Sequence, residues 1–410
     1  MLNHKVLTME HSIARRPTNY QTRDQILMIM RSICVISLVI FGSVLCQNEL
    51  PENPLKGRYI FEQKGCTDCH GNEGSGPDLV ENEYYGTSLE LAATMWNHLP
   101  KMVQEINNEG LSFPNFTSQE FSDLLTYLFY LRYLGKPGDK NEGKNLFSQK
   151  GCNQCHAVSG VSNIGGPDLS ELSNFVSPLS LASALWNHGP MMNEVLTERG
   201  ITRPVFERSE MVDLHAYIRA AGTKTKEKRY YQSPGNPQNG MRLFSEKNCS
   251  TCHTITNTTK RTGPDLHERK WDLSVYDIAG ILWNHEEAMT SSMEDEGLDY
   301  PVMTTNEMAD IIAYLYFLGF KDPAGNSEKG RIAFQDRGCT SCHEIQDSRI
   351  TNIRPGLNIS SSVTMAQIMW NHAPVMEKLA SRRVLAWPEL SGETMVDIYA
   401  YLLRVVNSKD

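Results

Sequence analysis

Eight of the ten cysteines in this 410-residue sequence fall into four Cys-x-x-Cys-His runs. They are Cys66, Cys69 and His70; Cys152, Cys155 and His156; Cys249, Cys252 and His253; and Cys339, Cys342 and His343. Two thiols three residues apart with an imidazole directly behind them allow three kinds of chemistry. The thiols can cycle through a disulfide, join further thiolates around zinc, or bond covalently to the two vinyl groups of one porphyrin whose iron meets the imidazole. A four-thiolate zinc site needs a second cysteine pair nearby in the sequence, and no run has one. A dithiol couple has no need of the histidine, yet a histidine follows every pair. The pattern points to covalent attachment of four haem c groups, with His70, His156, His253 and His343 as proximal iron ligands.

The runs begin 86, 97 and 90 residues apart, and each sits in a longer repeat. Gly57, Gly143, Gly240 and Gly330 open a short amphipathic segment that reaches Phe61, Phe147, Phe244 and Phe334. A cation (Lys64, Lys150, Lys247 or Arg337) stands two residues before the first cysteine. This reads as one short helix leading into the cysteine turn. Three repeats then carry Gly-Pro-Asp-Leu, and the fourth has Arg354 to Leu357 instead. A helical stretch follows and ends in Trp-Asn-His, at Trp96 to His98, Trp186 to His188, Trp283 to His285 and Trp370 to His372. Pro100, Pro190 and Pro374 come two residues later, so a kink is expected beside those histidines. A last helix closes each repeat, opening as a capping box at Thr117 to Glu120 and Thr304 to Glu307. Its interior carries Asp and Tyr four apart, at Asp123 and Tyr127, Asp213 and Tyr217, Asp310 and Tyr314, and Asp397 and Tyr401.

The fold expected is all-α, with four tandem small helical domains over 50–136, 137–223, 234–320 and 324–408, each wrapped around a covalent haem. Roughly 90 residues with three or four short helices bury little surface alone, so a bulky cofactor would serve as the core. The joint from Gly222, with its charged run Lys224 to Arg229, is expected to couple two halves loosely.

Each repeat resembles the class I cytochrome c family from end to end, through its N-terminal helix, cysteine turn, proline loop and closing helix. The resemblance implies that the carbonyls of Pro77, Pro167, Pro264 and Pro355 accept a hydrogen bond from the proximal histidines. It also implies an axial methionine just before the proline of the closing segment. The residues there are Phe113, Arg203, Tyr300 and Trp387, none of which suits iron.

Two other residue types recur in all four repeats. One is the Trp-Asn-His histidine: His98, His188, His285 and His372. The other is a methionine four residues on: Met102, Met192, Met289 and Met376. Methionine is the preferred distal ligand, because leucine would serve equally for packing. Histidine is the alternative, and otherwise it hydrogen-bonds a haem propionate beside Trp96, Trp186, Trp283 or Trp370. An open or mixed sixth position is the third possibility. Methionine would raise the reduction potential relative to two histidines. His215 and His267 occur once each and read as ordinary surface or helix residues.

Residues 1–46 form a leader in which Arg31 precedes an apolar stretch from Ile33 to Leu45 holding Cys34, with Cys46 behind it. This reads as a signal peptide, or else an uncleaved anchor giving membrane association, and either sends the chain to the periplasm or exterior. A net charge of −9 argues against nucleic acid and fits redox proteins or a membrane respiratory complex as partners. The function expected is single-electron transfer through four haems, without a substrate of its own. The alternative is a peroxidase or small-molecule reductase with one open haem. The third repeat is the candidate, since Glu286, Glu287 and Ala288 follow its Trp-Asn-His.

Overall fold

In the computed structural model the described residues are 50–51, 53–71, 74–79, 86–160, 166–170, 177–207, 209–221, 234–255, 261–266, 273–343, 345–346, 349–350 and 359–407. The leader, Pro355, His267 and the joint from Gly222 to Arg229 lie outside them. The fold is helical. Three labelled helices recur in each repeat: a short first helix, a long second one and a closing third. The first repeat has α1 (Lys56–Gln63), α2 (Ser88–Asn108) and α3 (Ser118–Tyr130). The second has α4 (Lys140–Gln149), α5 (Pro178–Glu198) and α6 (Glu210–Ala221). The third has α7 (Pro237–Glu246), α8 (Val275–Asp295) and α9 (Thr305–Leu318). The fourth has α10 (Ser327–Asp336), α11 (Ser362–Arg382) and α12 (Gly392–Asn407). Among the described residues, one antiparallel pair of two-residue strands, Ile345–Gln346 with Arg349–Ile350, interrupts the helices.

The short and closing helices of a repeat touch through glycine. A Cβ on Gly57, Gly143, Gly240 or Gly330 would stand 1.9 Å from the carbonyl oxygen of Asp123, Asp213, Asp310 or Asp397. Only a residue without a side chain lets the two backbones approach so closely. The repeated aspartates then hold the entry to the short helix in three repeats. The Oδ1 atoms of Asp213, Asp310 and Asp397 accept the N–H of Asp139, Asn236 and Asn326 at 2.6–2.7 Å. The aromatic pairs Phe61–Tyr127, Phe147–Tyr217, Phe244–Tyr314 and Phe334–Tyr401 pack at ring distances of 5.5–5.8 Å. Both capping boxes read from the sequence are formed, at Thr117 with Glu120 and at Thr304 with Glu307. The repeated lysines tie these helix starts to the cysteine turn. Lys64, Lys150 and Lys247 reach Glu120, Glu210 and Glu307 at 3.2, 2.8 and 2.8 Å.

Each long helix runs 21 residues, and three continue as helix through Pro100, Pro190 and Pro374 rather than breaking there. For α2 and α5 the reason lies in how the repeats meet. Their pairing is first with fourth and second with third. The indole Nε1 of Trp96 donates to Pro388 O at 2.8 Å, and that of Trp370 donates to Pro114 O at 2.9 Å. Trp186 donates to Pro301 O at 2.8 Å and Trp283 to Pro204 O at 2.7 Å. The next asparagine makes two bonds to backbone across the same interface. Asn97 pairs with Leu390, Asn371 with Phe116, Asn187 with Met303, and Asn284 with Phe206, all at 2.7–2.9 Å.

Repeats one and three join these two couples. Tyr316 Oη donates to Phe129 O at 2.6 Å, Ser88 N–H to Phe320 O at 3.0 Å, and Val275 N–H to Tyr133 O at 2.7 Å. Phe129, Tyr133, Tyr316, Phe317 and Phe320 form a buried aromatic cluster there. Asp322 adds bonds to Ser88 and Leu89 of the first repeat and to Ser362 of the fourth. The spatial order of the repeats is therefore four, one, three, two. Two loosely coupled halves divided after Gly222 are not what the interfaces show, because the second and third repeats are bonded directly.

Candidate haem sites

Each cysteine run sits on a single helical turn behind the short helix. None of the eight cysteines is in a disulfide. Burial pushes the first thiol of each run, Cys66, Cys152, Cys249 and Cys339, up to about 11. A thioredoxin-like couple works through a depressed thiol, so this environment opposes that use. Among the described residues no three His, Cys, Asp or Glu side chains converge on one ion.

The proximal histidines are held as the resemblance implies in three repeats. Nδ1 of His70 donates to Pro77 O at 3.1 Å, that of His156 to Pro167 O at 3.2 Å, and that of His253 to Pro264 O at 3.0 Å. A proton on Nδ1 leaves the Nε2 lone pair free for a metal. Glycine before each proline makes room for the ring. A Cβ on Gly76, Gly166 or Gly263 would come within about 3 Å of the imidazole, at 3.0, 3.0 and 2.9 Å. In the fourth repeat the Nδ1 of His343 is buried without a hydrogen-bond partner among the described residues. Two thiols outside any disulfide, an oriented imidazole and a glycine-lined loop form a set that fits haem c.

The candidate distal residues fall on the long helix. With that helix unbroken, each histidine and the methionine four residues on share a face. Met102, Met192, Met289 and Met376 are half-buried and pack against the core. His188, His285 and His372 are exposed, and His98 is half-buried. The Nδ1 atoms of His188 and His285 donate back to Ala184 O and Ile281 O of their own helix at 2.9 and 2.8 Å. His98 is lowered by burial, then by Lys101 and His70; His343 is lowered by burial, then by His372. In the first and fourth repeats, then, the Trp-Asn-His histidine and the proximal histidine feel each other's charge.

The tryptophans expected at the haem commit their N–H groups and ring faces to the neighbouring repeat. The residues in the usual axial-methionine position prove to be their partners. Trp387 stacks on Trp96 at 4.4 Å, Phe113 on Trp370 at 5.2 Å, and Tyr300 on Trp186 at 4.9 Å. Arg203 lays its guanidinium 3.9 Å from the Trp283 ring centre. Three of these four also bond the carbonyl of the tryptophan. Trp387 Nε1 donates to Trp96 O, Tyr300 Oη to Trp186 O, and Arg203 Nη2 to Trp283 O, at 3.0–3.2 Å. Sequence reasoning missed this role. The signal available was that Trp and Asn recur with the histidine in all four repeats, more than one axial ligand requires.

Of the two glutamates that follow the third Trp-Asn-His, Glu286 is buried and Glu287 is exposed. Glu286 forms an ion pair with Arg203 at 2.8 Å, their side chains 2% and 9% exposed, and accepts from Thr290. Gly189 lies directly against this carboxylate. His215 is a buried residue of α6, with Nδ1 2.8 Å from Tyr276 Oη.

The Cytochrome c family model matches residues 237–318, which run from the start of α7 to the end of α9. The match supports a c-type cytochrome. The chain is also 37% identical over 70 residues to the Cbb3-type cytochrome c oxidase subunit CcoP of Helicobacter pylori, in strain ATCC 700392 / 26695 and in strain 52. That alignment covers 17% of this chain and 23% of the relative, so the chain spans less than a quarter of the length of the curated relatives it matches. No solved structure matches. No helix among the described residues is long and apolar enough to cross a membrane.

Proposed function

We propose that this chain is an exported four-haem c-type cytochrome that relays single electrons between redox proteins, one of them a membrane respiratory complex. The observation that carries the reading is the repeated cysteine turn, with an imidazole whose Nδ1 is fixed on a proline carbonyl. That bond sets the tautomer and strengthens Nε2 as a donor to iron. Haem c, held by the two thiols and by His70, His156, His253 or His343, supplies a reversible one-electron couple. The chain's own residues orient the imidazole, exclude water and bring the repeats together.

Met102, Met192, Met289 and Met376 are assigned as distal ligands, because they are half-buried against the core where most of the histidines are exposed. His98, His188, His285 and His372 are the alternative, favoured by the couplings of His98 to His70 and of His372 to His343. An open-haem enzyme in the third repeat loses one of its two neighbouring acids, since Glu286 is spent on Arg203.

The test is haem content and the near-infrared spectrum of the oxidised protein, exported from a host that attaches haem c. Four haems per chain, each with a sulfur-to-iron charge-transfer band, support the carrier with methionine ligands. Four haems without the band move the ligand to the histidines. Carbon monoxide binding to one ferrous haem returns the enzyme, and fewer than four haems overturns the reading.

A further inference from the structure

Three of the four long helices end through glycine, and the fourth ends through valine. The chain leaves α2, α5 and α8 at Gly110, Gly200 and Gly297, with φ of 66°, 65° and 68°. It leaves α11 at Val384, with φ of 58°. The turn is the same in every case. The N–H of Leu111, Ile201, Leu298 and Leu385 returns to the carbonyl of Ile106, Leu196, Met293 and Ala380 at 2.8–2.9 Å. That closure calls for a left-handed residue, which a β-branched side chain adopts only under strain. Val384 is 92% exposed, so no packing among the described residues offsets that strain. An apolar residue held in a strained conformation at full exposure points to a surface used for contact.

Its surroundings share the character. Val375, Leu379 and Leu385 are exposed large apolar residues on the same stretch. Lys378, Arg382 and Arg383 are exposed cations among them. The corresponding residues are Gln104, Asn108 and Glu109 in the first repeat, and Ser291, Asp295 and Glu296 in the third. In the second they are Glu194, Glu198 and Arg199. Residues 375–389 carry those three cations against Glu377 and Glu389, in a chain whose net charge is −9. Arg383 ties the patch to the fourth cysteine turn. Its Nη1 donates to Ser341 O at 2.9 Å and lies 3.4 Å from Cys342 Sγ. The fourth repeat is also one end of the spatial series.

We infer that the apolar patch Val375–Leu379–Val384–Leu385, with its cationic rim, docks an acidic redox protein that donates one electron to the fourth repeat. This rests on the carrier reading above. In the docked pair the partner's centre is oxidised by one electron and one ferric haem is reduced to ferrous; no atom or proton crosses. Rim charges set the on-rate and its salt dependence, while the apolar centre excludes water.

The experiment uses the full-length holoprotein, with flavodoxin hydroquinone as an acidic one-electron donor that becomes its semiquinone, followed by stopped flow across ionic strength. Durohydroquinone, a small neutral reductant, is the control. Val384→Gly copies the other three helix ends and keeps the turn. It is expected to slow reduction by flavodoxin several-fold and leave the durohydroquinone rate unchanged. Lys378→Glu with Arg382→Glu is expected to slow the flavodoxin reaction about tenfold and reverse its salt dependence. Arg199→Glu at the matching place in the second repeat is expected to change nothing. Flavodoxin rates equal to those of the unaltered protein in both patch variants, with four reducible haems present, overturn the docking site and leave the carrier standing. A protein that takes up no haem overturns both.

Discussion

The indole N–H of Trp387 donates to the carbonyl of Trp96 at 3.0 Å, and that carbonyl is the one Pro100 leaves without its helical donor. An interior proline ordinarily costs a helix about 3 kcal/mol. Here the second repeat of a couple supplies the missing donor. Tyr300 does the same for Trp186, whose donor is lost to Pro190.

Replacing Trp387 with Phe keeps the stack but leaves a buried acceptor unpaired, at a cost of about 1–3 kcal/mol. In a Pro100→Ala background the helix provides its own donor, and the same replacement is expected to cost less. A double-mutant cycle by denaturant unfolding of the holoprotein checks this. Equal costs in the two backgrounds would show that the indole does not replace the lost bond.

The pair Arg203–Glu286 is buried between the second and third repeats. Removing either partner strands a charge, so Arg203→Met or Glu286→Met alone is expected to destabilise by about 3–5 kcal/mol. The double replacement restores most of that, since the desolvation of both charges disappears with them. Unfolding midpoints of the three variants decide the matter, with additive losses as the contrary result.

Glu307 lies below its ordinary value of 4.5 because Lys247 and the Thr304 N–H hydrogen-bond its carboxylate. A carboxyl depressed by folding adds stability above its unfolded pKa and loses it as the pH falls through the folded one. Glu307→Gln is therefore expected to be less stable than the parent at pH 7. The difference should start to shrink below about pH 4.5 and vanish in stronger acid. A difference that persists unchanged down to pH 3 would mean that the ionised carboxylate is not what stabilises this helix start.

Val384→Gly removes the strain of a left-handed valine, and about 1 kcal/mol of stability is expected in return once the extra freedom of unfolded glycine is deducted. Gly297→Val at the matching place in α8 is expected to lose a comparable amount. Thermal unfolding of both variants reads the two signs.

Much of the fold could be read directly from residue spacing. The glycine four residues before phenylalanine marks where the short helix meets the closing one, because that contact excludes a Cβ. The Thr-x-x-Glu pairs mark the closing helices because their capping bonds are local. The histidine–proline bond followed from the likeness of the loops to class I cytochromes. What could not be read was the pairing of the repeats. Trp96 and Pro388 are 292 residues apart, and a single sequence carries no period linking them. The prolines misled for the same reason, since the donor that lets α2 continue past Pro100 belongs to another repeat. Residues 113, 203, 300 and 387 looked merely unsuited to iron, whereas their stacking and hydrogen bonds serve a neighbour whose position the sequence does not state.

Pairing the first repeat with the fourth also sets an order of assembly. The surface around Trp96 is the earliest made and waits for Trp387, 291 residues further on, before it is covered. During synthesis the first repeat must stay soluble with a tryptophan face bare, while the second and third find each other close behind it. A chain cut after the third repeat would keep that face open and fit the last repeat of an intact copy. Truncation is thus expected to yield mixed assemblies joined between chains rather than a smaller, self-sufficient protein.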